Sequence, residues 1–357
     1  MLRCMRYNIS MLKIIYSFIK YRIRYRIPLK AYMILSNIAV GRRESKYRQQ
    51  SKKFGNLNPK VHFYVIRIRP PGWGFFSNIF YVLQGLQYSE ENRWTPVVDM
   101  ENYFMSEMNS LRAIDGTRNA WNYFFEQVSE YSLHEVYNSK NVTLSDGNRI
   151  SVSTSWLRNR NTELIESPKK MEIVGNLINQ YINPNSTTGV FLEKTKHDLL
   201  WNGNNTLGIF VRGSVYHSNV QFPKNKIVAF DLLVKEIRNF IERHEFDAIY
   251  ICTEDLRVYL KLSQIFKNYN ILPSIRFEQN LSVDTWIKQQ KTTNIGGLHN
   301  LGFSGTKKYL TEIFLLSECA NFIGTFSNAS TFVVAKSMTN GGNKRLLMSN
   351  SYQEYNR

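Results

Sequence analysis

The sequence predicts an α/β fold in two halves, each built on a parallel sheet, behind a basic N-terminal segment. Three observations carry that expectation. Short β-branched and aromatic runs alternate with helical patterns over residues 61–100 and again over 207–337. Such β-α-β alternation implies parallel strands joined by right-handed crossovers. The chain of 357 residues is 43% hydrophobic and 14% aromatic, a globular composition long enough for two domains, each burying its own core.

The net charge of +18 suggests nucleic acid until it is located. Residues 1–60 hold fifteen Lys and Arg against one acid, Glu44, so +14 of the +18 sits there and the body is nearly balanced. Within that segment, residues 11–27 (MLKIIYSFIKYRIRYRI) place Lys13, Ser17, Lys20 and Arg24 on one helical side. Ile14, Ile15, Phe18, Ile19 and Ile23 occupy the other. The charge-free run 14–19 is far short of the roughly 20 residues a span requires. Basic residues continue through the apolar part and no small-residue cleavage site follows, which argues against a signal peptide. The expectation is a basic amphipathic helix on an anionic membrane surface, with a partner-binding helix or a solvated tail as the other readings. Residues 41–60 read as a polar linker. The divisions expected are 1–60 for the basic segment and linker, 61–200 for a first domain and 201–357 for a second.

Taken in order, the body begins with a strand over 61–68 (VHFYVIRI). It runs into Pro70-Pro71-Gly72-Trp73-Gly74, then a helix over 75–92 and a short strand over 96–100. A strand, glycine turn and helix let backbone N–H groups approach a pyrophosphate, although glycine is also ordinary turn punctuation. Residues 119–183 read mainly as helices and loops, with Trp121, Phe124 and Phe125 on a core face. The second series begins with a strand over 207–211 ending in Arg212-Gly213-Ser214. A helix over 228–243, a strand over 248–252, a helix over 256–267 and a strand over 274–277 follow. A Gly- and Asn-rich loop over 294–304 precedes helix, strand and helix in 311–337, and 345–348 reads as a last edge strand. Cys4, Cys252 and Cys319 form no C-x-x-C; Cys252 and Cys319 lie in apolar patterns, as reduced core residues of a cytoplasmic protein do.

Chemistry concentrates at the ends of these strands. Arg212 ends a buried strand, an expensive place for a permanent charge without a partner; it either makes a bidentate phosphate contact or reaches solvent from the strand end. The polar turn 325–330, with Thr325, Ser327, Asn328 and Ser330, opens a helix; it is either a plain cap or an anion site. Glu254 and Asp255 either accept sugar hydroxyls or cap the following helix. His217, in the loop after Arg212, is either a general base or a surface histidine. Asp-x-Asp occurs nowhere, Asp99-Met100-Glu101 being the nearest substitute, and no G-x-x-x-x-G-K or G-x-S-x-G appears. What remains is a metal-independent diphosphate site of arginine and backbone amides.

Three segments together resemble the fucosyltransferase superfamily of α-1,6-, α-1,2- and protein O-fucosyltransferases. Gly72-Trp73-Gly74-Phe75-Phe76-Ser77-Asn78 is similar to the family's glycine loop. Phe210-Val211-Arg212-Gly213-Ser214 is similar to its H-x-R motif, and 322–327 (FIGTFS) to its pyrophosphate-contacting turn. Thr253-Glu254-Asp255 resembles its T-D-D strand end, and Glu312 falls where the family carries an acid that reads guanine. The resemblance implies a GT-B architecture of two Rossmann-like domains with a cleft between them. It implies an inverting transfer of fucose from GDP-fucose without a metal or other cofactor. Gly72, Trp73, Gly74, Arg212, Asp255, Glu312, Thr325, Ser327, Asn328 and Ser330 would bind the donor. Phe210 stands where the family has His, Gly213 where it has a second Arg, and Val215 where an acid is common. No Glu follows Arg212 at the distance of the family's general base, which leaves His217 as the substitute. The function expected is transfer onto a glycan or lipid-linked glycan hydroxyl at the inner membrane face, in surface polysaccharide or glycoconjugate synthesis. A same-fold enzyme with another nucleotide sugar is one alternative. A non-enzymatic module gripping nucleic acid or membrane is the other, though the near-neutral body argues against a specific nucleic-acid partner.

Overall fold

The computed structural model describes residues 49–67, 74–101, 113–146, 162–213, 228–278, 280–293, 302–338, 341–348 and 351–356. The helix expected over 11–27, Gly72, Trp73, Val215 and His217 lie outside the described residues. Gln49–Arg357 clusters as one compact unit, and it contains two sheets.

The first sheet comprises β1 (Gln50–Lys52), β2 (Leu57–Arg67), β3 (Thr95–Asp99) and β4 (Ser139–Leu144) in the order β1-β4-β2-β3. β2 runs parallel to both β3 and β4, while β1 is antiparallel to β4. Helix α1 (Phe75–Asn92) makes the crossover from β2 to β3 and spans the residues its periodicity predicts. Two expectations are corrected here. The region read as a linker contributes β1 and the start of β2, and the region read as helices and loops contains β4. The first half of β4, Ser139-Lys140-Asn141, lacks any apolar alternation. Its pairing with strands on both sides overrides a weak local preference.

The second sheet holds β5 (Thr206–Val211), β6 (Ala248–Thr253), β7 (Asn321–Thr325), β8 (Asn343–Met348) and β9 (Ser351–Asn356), in the order β6-β5-β7-β8-β9. All neighbours are parallel except β9, which lies antiparallel outside β8 and so displaces β8 from the edge expected of 345–348. Arg345 fastens that addition: its buried guanidinium pairs with Glu354 of β9 and, at 3.0 Å, with Glu236. Side chains along β5–β8 alternate between two helical layers with the period of two a strand imposes. Ile209, Val211, Ile249, Ile251 and Ile323 pack with Leu233 and Ile237 of α4 (Phe230–Ile241) and with Val258 and Leu262 of α5 (Leu256–Ile265). Phe210, Tyr250, Cys252 and Phe322 face the other way.

That second face belongs to a core shared with the first sheet. It contains Tyr64 and Ile66 of β2 and residues of α1, α2 (Pro168–Tyr181), α3 (Ser186–Asp198), α7 (Gly302–Glu318) and α8 (Asn328–Ser337); α6 (Val283–Thr293) precedes α7. α8 is buried nearly all round, with Phe332, Val333, Val334 and Ala335 at 0% exposure, and burying each of the larger three contributes about 1.5–3 kcal/mol. α2 crosses it at Gly175, where a Cβ would stand 2.2 Å from the Ala335 carbonyl oxygen. Segment 274–277 forms no strand; a lone bridge pairs Ile271 with Ile249, and Pro273 has no N–H to continue a ladder. Residues 302–304, expected in a loop, already belong to α7.

Candidate functional site

Each sheet has a point where strand order reverses. β2 lies between β3, reached through α1, and β4; β5 lies between β6, reached through α4, and β7, from which the chain leaves through α8 to β8. Open α/β sheets bind ligands outside the carboxyl ends of the strands at such points. Of the residues singled out in the sequence, Gly74, Arg212, Glu254, Asp255, Thr325, Ser327, Asn328 and Ser330 follow those ends, and Glu312 lies within α7.

At the second reversal, the Arg212 backbone N–H donates to Thr325 Oγ1 at 2.9 Å, tying the ends of β5 and β7 together. The Arg212 side chain is exposed. Gly213 N–H donates to Glu254 Oε2 at 3.2 Å and so joins β5 to β6. Only glycine fits there, because a Cβ would lie 2.5 Å from Thr253 Oγ1. Asp255 is a helix cap: it accepts the Arg257 backbone N–H and Nε–H, each at 2.9 Å, and stays buried beneath α5. Of the two acids after β6, Glu254 is the one that reaches the Arg212 turn.

The polar turn after β7 is a capping box. Ser327 Oγ accepts the Ser330 N–H at 3.2 Å, and Ser330 Oγ accepts the Ser327 N–H at 2.8 Å. These side chains satisfy two donors of α8 that would otherwise be orphaned. Asn328 reaches out instead, its Nδ2 donating to Ser77 Oγ in the first turn of α1. α1 begins after Gly74, which makes no side-chain cap hydrogen bond. Two helix N-termini, each carrying a partial positive charge, are thereby linked beside Arg212.

Glu312 lies on α7 with 0% exposure. Its Oε2 accepts both Nε–H of Arg276, at 2.9 Å, and Nη2–H, and the Cys252 thiol donates to the same oxygen at 3.4 Å. Burial pushes the Glu312 carboxyl above its usual range, and the Arg276 guanidinium pulls against it. Arg276 rests 4.7 Å over the Tyr309 ring, whose ring is edge-on to Phe76 of α1 at 5.3 Å. Burial pushes the Tyr309 hydroxyl upward, Cys252 raises it further and Arg276 lowers it, with Glu254 and Arg212 as smaller opposing influences.

The structure thus brings Arg212, Glu254, Thr325, Ser327, Asn328 and Ser330 together, with Gly74 at the head of α1 and Glu312 beyond Tyr309. Sequence reading missed two arginines. Arg67 ends β2 at 2% exposure, its N–H on Ser145 Oγ at 3.0 Å and its Nε–H on Ser145 O at 2.6 Å. It offered the signal that marked Arg212, a charge closing an apolar strand. Arg276 offered none, since it lies in irregular chain. Among the described residues no group of three His, Cys, Asp or Glu has a metal-holding arrangement, and no helix is long and apolar enough to cross a membrane.

These features define an α/β protein with reversal points in two sheets and anion-friendly groups gathered at their carboxyl ends. No protein-family model matches the sequence, and no curated protein matches it. Similar solved structures include the NodZ α-1,6-fucosyltransferase soaked with GDP-fucose, at 14% identity and a TM-score of 0.47 over 84% of this chain and 100% of that one. The fucosyltransferase NodZ from Bradyrhizobium is similar at 14% identity and a TM-score of 0.45 over 84% and 99% of the two chains. A point mutant of Arabidopsis thaliana FUT1 in complex with GDP is similar at 13% identity and a TM-score of 0.45 over 84% and 76%. Likeness this distant assigns no chemistry, which is left to the residues.

Proposed function

We propose that this protein is an inverting, metal-independent glycosyltransferase that moves a sugar, fucose from GDP-fucose, onto a glycan hydroxyl. The observation that carries the reading is the joint at the β5–β7 reversal. There Arg212 is fixed by its N–H on Thr325 Oγ1 at 2.9 Å, beside the N-terminus of α8. The strand-end motifs that resemble fucosyltransferases supply the donor.

An acceptor oxygen attacks the anomeric carbon from the face opposite the diphosphate. The new C–O bond forms as the bond to the diphosphate oxygen breaks, and GDP departs with the electron pair. The acceptor proton passes to a base, for which His217 is the candidate. Arg212 and the N–H groups opening α1 and α8 meet the charge growing on the departing diphosphate, the interaction that lowers the barrier. Residues 61–200 would receive the acceptor and 201–357 the donor. The basic segment 11–27 would hold the enzyme at an anionic inner membrane face, near lipid-linked glycans.

The test is Arg212→Ala, with thermal shift against GDP, UDP, ADP and CDP and with transfer from GDP-fucose. The wild type is expected to be stabilised selectively by GDP. The variant is expected to lose that stabilisation and at least about 10²-fold in transfer, the scale of a lost oxyanion-type contact. Selective stabilisation by UDP redirects the donor, and full transfer by the variant overturns the reading.

A further inference from the structure

The first sheet carries an exposed patch at the end opposite its reversal site, where β2 and β4 begin. We propose that this patch docks on an anionic lipid surface, with Phe54 and Leu57 entering the headgroup layer and Lys52, Lys53, Lys60 and Lys140 lying against it. The inference extends the membrane reading of segment 11–27 to the folded body, and it rests on that reading for the kind of partner.

The loop from β1 to β2 is held tightly. Phe54 and Gly55 N–H both donate to Ser139 O, at 3.1 and 3.0 Å, and Leu57 N–H donates to Asn138 O at 3.0 Å. Gly55 lies so close that an added Cβ would stand 2.2 Å from Asn138 O. Phe54 meets the Tyr137 ring edge-on at 5.1 Å. The loop nevertheless leaves two large apolar side chains in water, Phe54 at 38% exposure and Leu57 at 50%. Lys52, Lys53, Lys60 and Lys140 are exposed as well. The register gathers these residues: Leu57 pairs with Ser139, and Lys52 pairs with Val142, which shares a face of β4 with Lys140. Among the described residues no carboxylate pairs with any of the four lysines. The sequence holds no Asp or Glu from 45 to 89.

Lysines on an edge strand can serve simply to block pairing with another chain. Apolar side chains held out among them work against that end. An anionic bilayer suits both kinds of residue. Each lysine near the headgroups gains about fivefold in affinity, and the apolar side chains leave water for the acyl boundary. Nucleic acid would reward the lysines and leave Leu57 in water. Residues 1–48, with twelve Lys and Arg, lead into β1, so the basic segment and the patch are continuous in sequence. The carboxyl ends of β2 and β4, and the start of α1, then lie on the side of the sheet remote from the bilayer.

The experiment is sedimentation of the full chain with vesicles of phosphatidylcholine and phosphatidylserine. The wild type is compared with Lys52→Gln/Lys53→Gln and with a charge-matched control, Lys235→Gln/Lys267→Gln, whose exposed lysines lie on α4 and just past α5. The patch variant is expected to bind at least about tenfold more weakly than the control. The second readout is an environment-sensitive fluorophore on Leu57→Cys in a Cys4→Ser background, where Cys252 and Cys319 are buried. Its emission is expected to shift to the blue on these vesicles, while the same label on Leu260→Cys of α5, 44% exposed in the wild type, does not shift. Either a patch variant that matches the control or an unshifted label at position 57 overturns the inference and leaves the reading of segment 11–27 standing. A wild type that ignores the vesicles overturns both. Loss of binding to a duplex oligonucleotide on removing Lys52 and Lys53, with vesicle binding kept, overturns the inference in favour of nucleic acid.

Discussion

Gly213→Ala tests whether the joint between β5 and β6 sets the position of Arg212. An added Cβ would stand 2.5 Å from Thr253 Oγ1 and 2.6 Å from Asp255 Cβ, so about 1 Å of displacement is needed to reach ordinary contact. Neither obstacle yields easily. Thr253 is buried at the end of β6, and Asp255 is held by Arg257. The chain at Gly213 moves instead, drawing the Arg212 N–H off Thr325 Oγ1. Overpacking of this kind costs about 1–3 kcal/mol, and the lost hydrogen bond adds about 1 kcal/mol. A positioning group misplaced by about 1 Å costs on the order of 10²-fold in rate. The assays are urea unfolding, GDP titration and transfer from GDP-fucose. The expected outcome is a loss of about 2–4 kcal/mol in stability, with transfer falling far more than that loss explains. A variant with the wild-type unfolding midpoint and wild-type GDP affinity would refute the reasoning.

Two other predictions follow from the same geometry. The bond from Asn328 to Ser77 is expected to give a coupling of about 0.5–1.5 kcal/mol in a double-mutant cycle of Asn328→Ala and Ser77→Ala, read by urea unfolding; additive losses would show that the two helix starts are not joined. Lys344 donates to the carbonyls of Cys319, Ala320 and Gly341 at 2.6–3.0 Å, and burial pulls its ammonium down from 10.5 to about 8. Between those values the unfolded chain binds more protons than the folded one, so this residue's contribution to stability rises with pH, by up to about 1.4 kcal/mol per unit. Below about pH 8 both states are charged and the burial cost is present in full. The stability difference between the wild type and Lys344→Met is expected to climb across that window, and a flat difference would contradict the burial argument.

How much could be read beforehand depended on whether the signal was local. α1 and β5–β7 were legible because their apolar periodicity and flanking glycines and polar caps lie within a few residues. The polar turn with Ser327 and Ser330 was legible as either a cap or an anion site, whereas the need for glycine at 213 was not, because Thr253 and Asp255, which leave no room for a Cβ, lie some forty residues on. β4 was not, since Lys140 and Asn141 take strand conformation from partners far back along the chain in β2. β9 escaped for the same reason, taking its strand conformation from antiparallel pairing with β8. Arg276 was the least legible. Its role comes from a contact to Glu312, thirty-six residues away, and no spacing rule in the sequence announces an ion pair between a loop and a buried helix face.

The two reversal points are connected by packing as well as by topology. Phe76, in the first turn of α1, meets Tyr309 of α7 at 5.3 Å and Phe332 of α8 at 5.1 Å. The neighbouring Ser77 accepts from Asn328. Tyr309 carries Arg276, which holds Glu312. One aromatic side chain therefore fixes the start of the helix from the first sheet against the two helices that flank β7. Dense cores respond to such contacts as discrete alternatives and deform little between them. A substitution at Phe76 consequently reaches both the α8 start beside Thr325 and, through Tyr309 and Arg276, the Glu312 carboxylate. The arrangement of Arg212, Thr325, Asn328 and Glu312 is thus tied to the packing of the shared core.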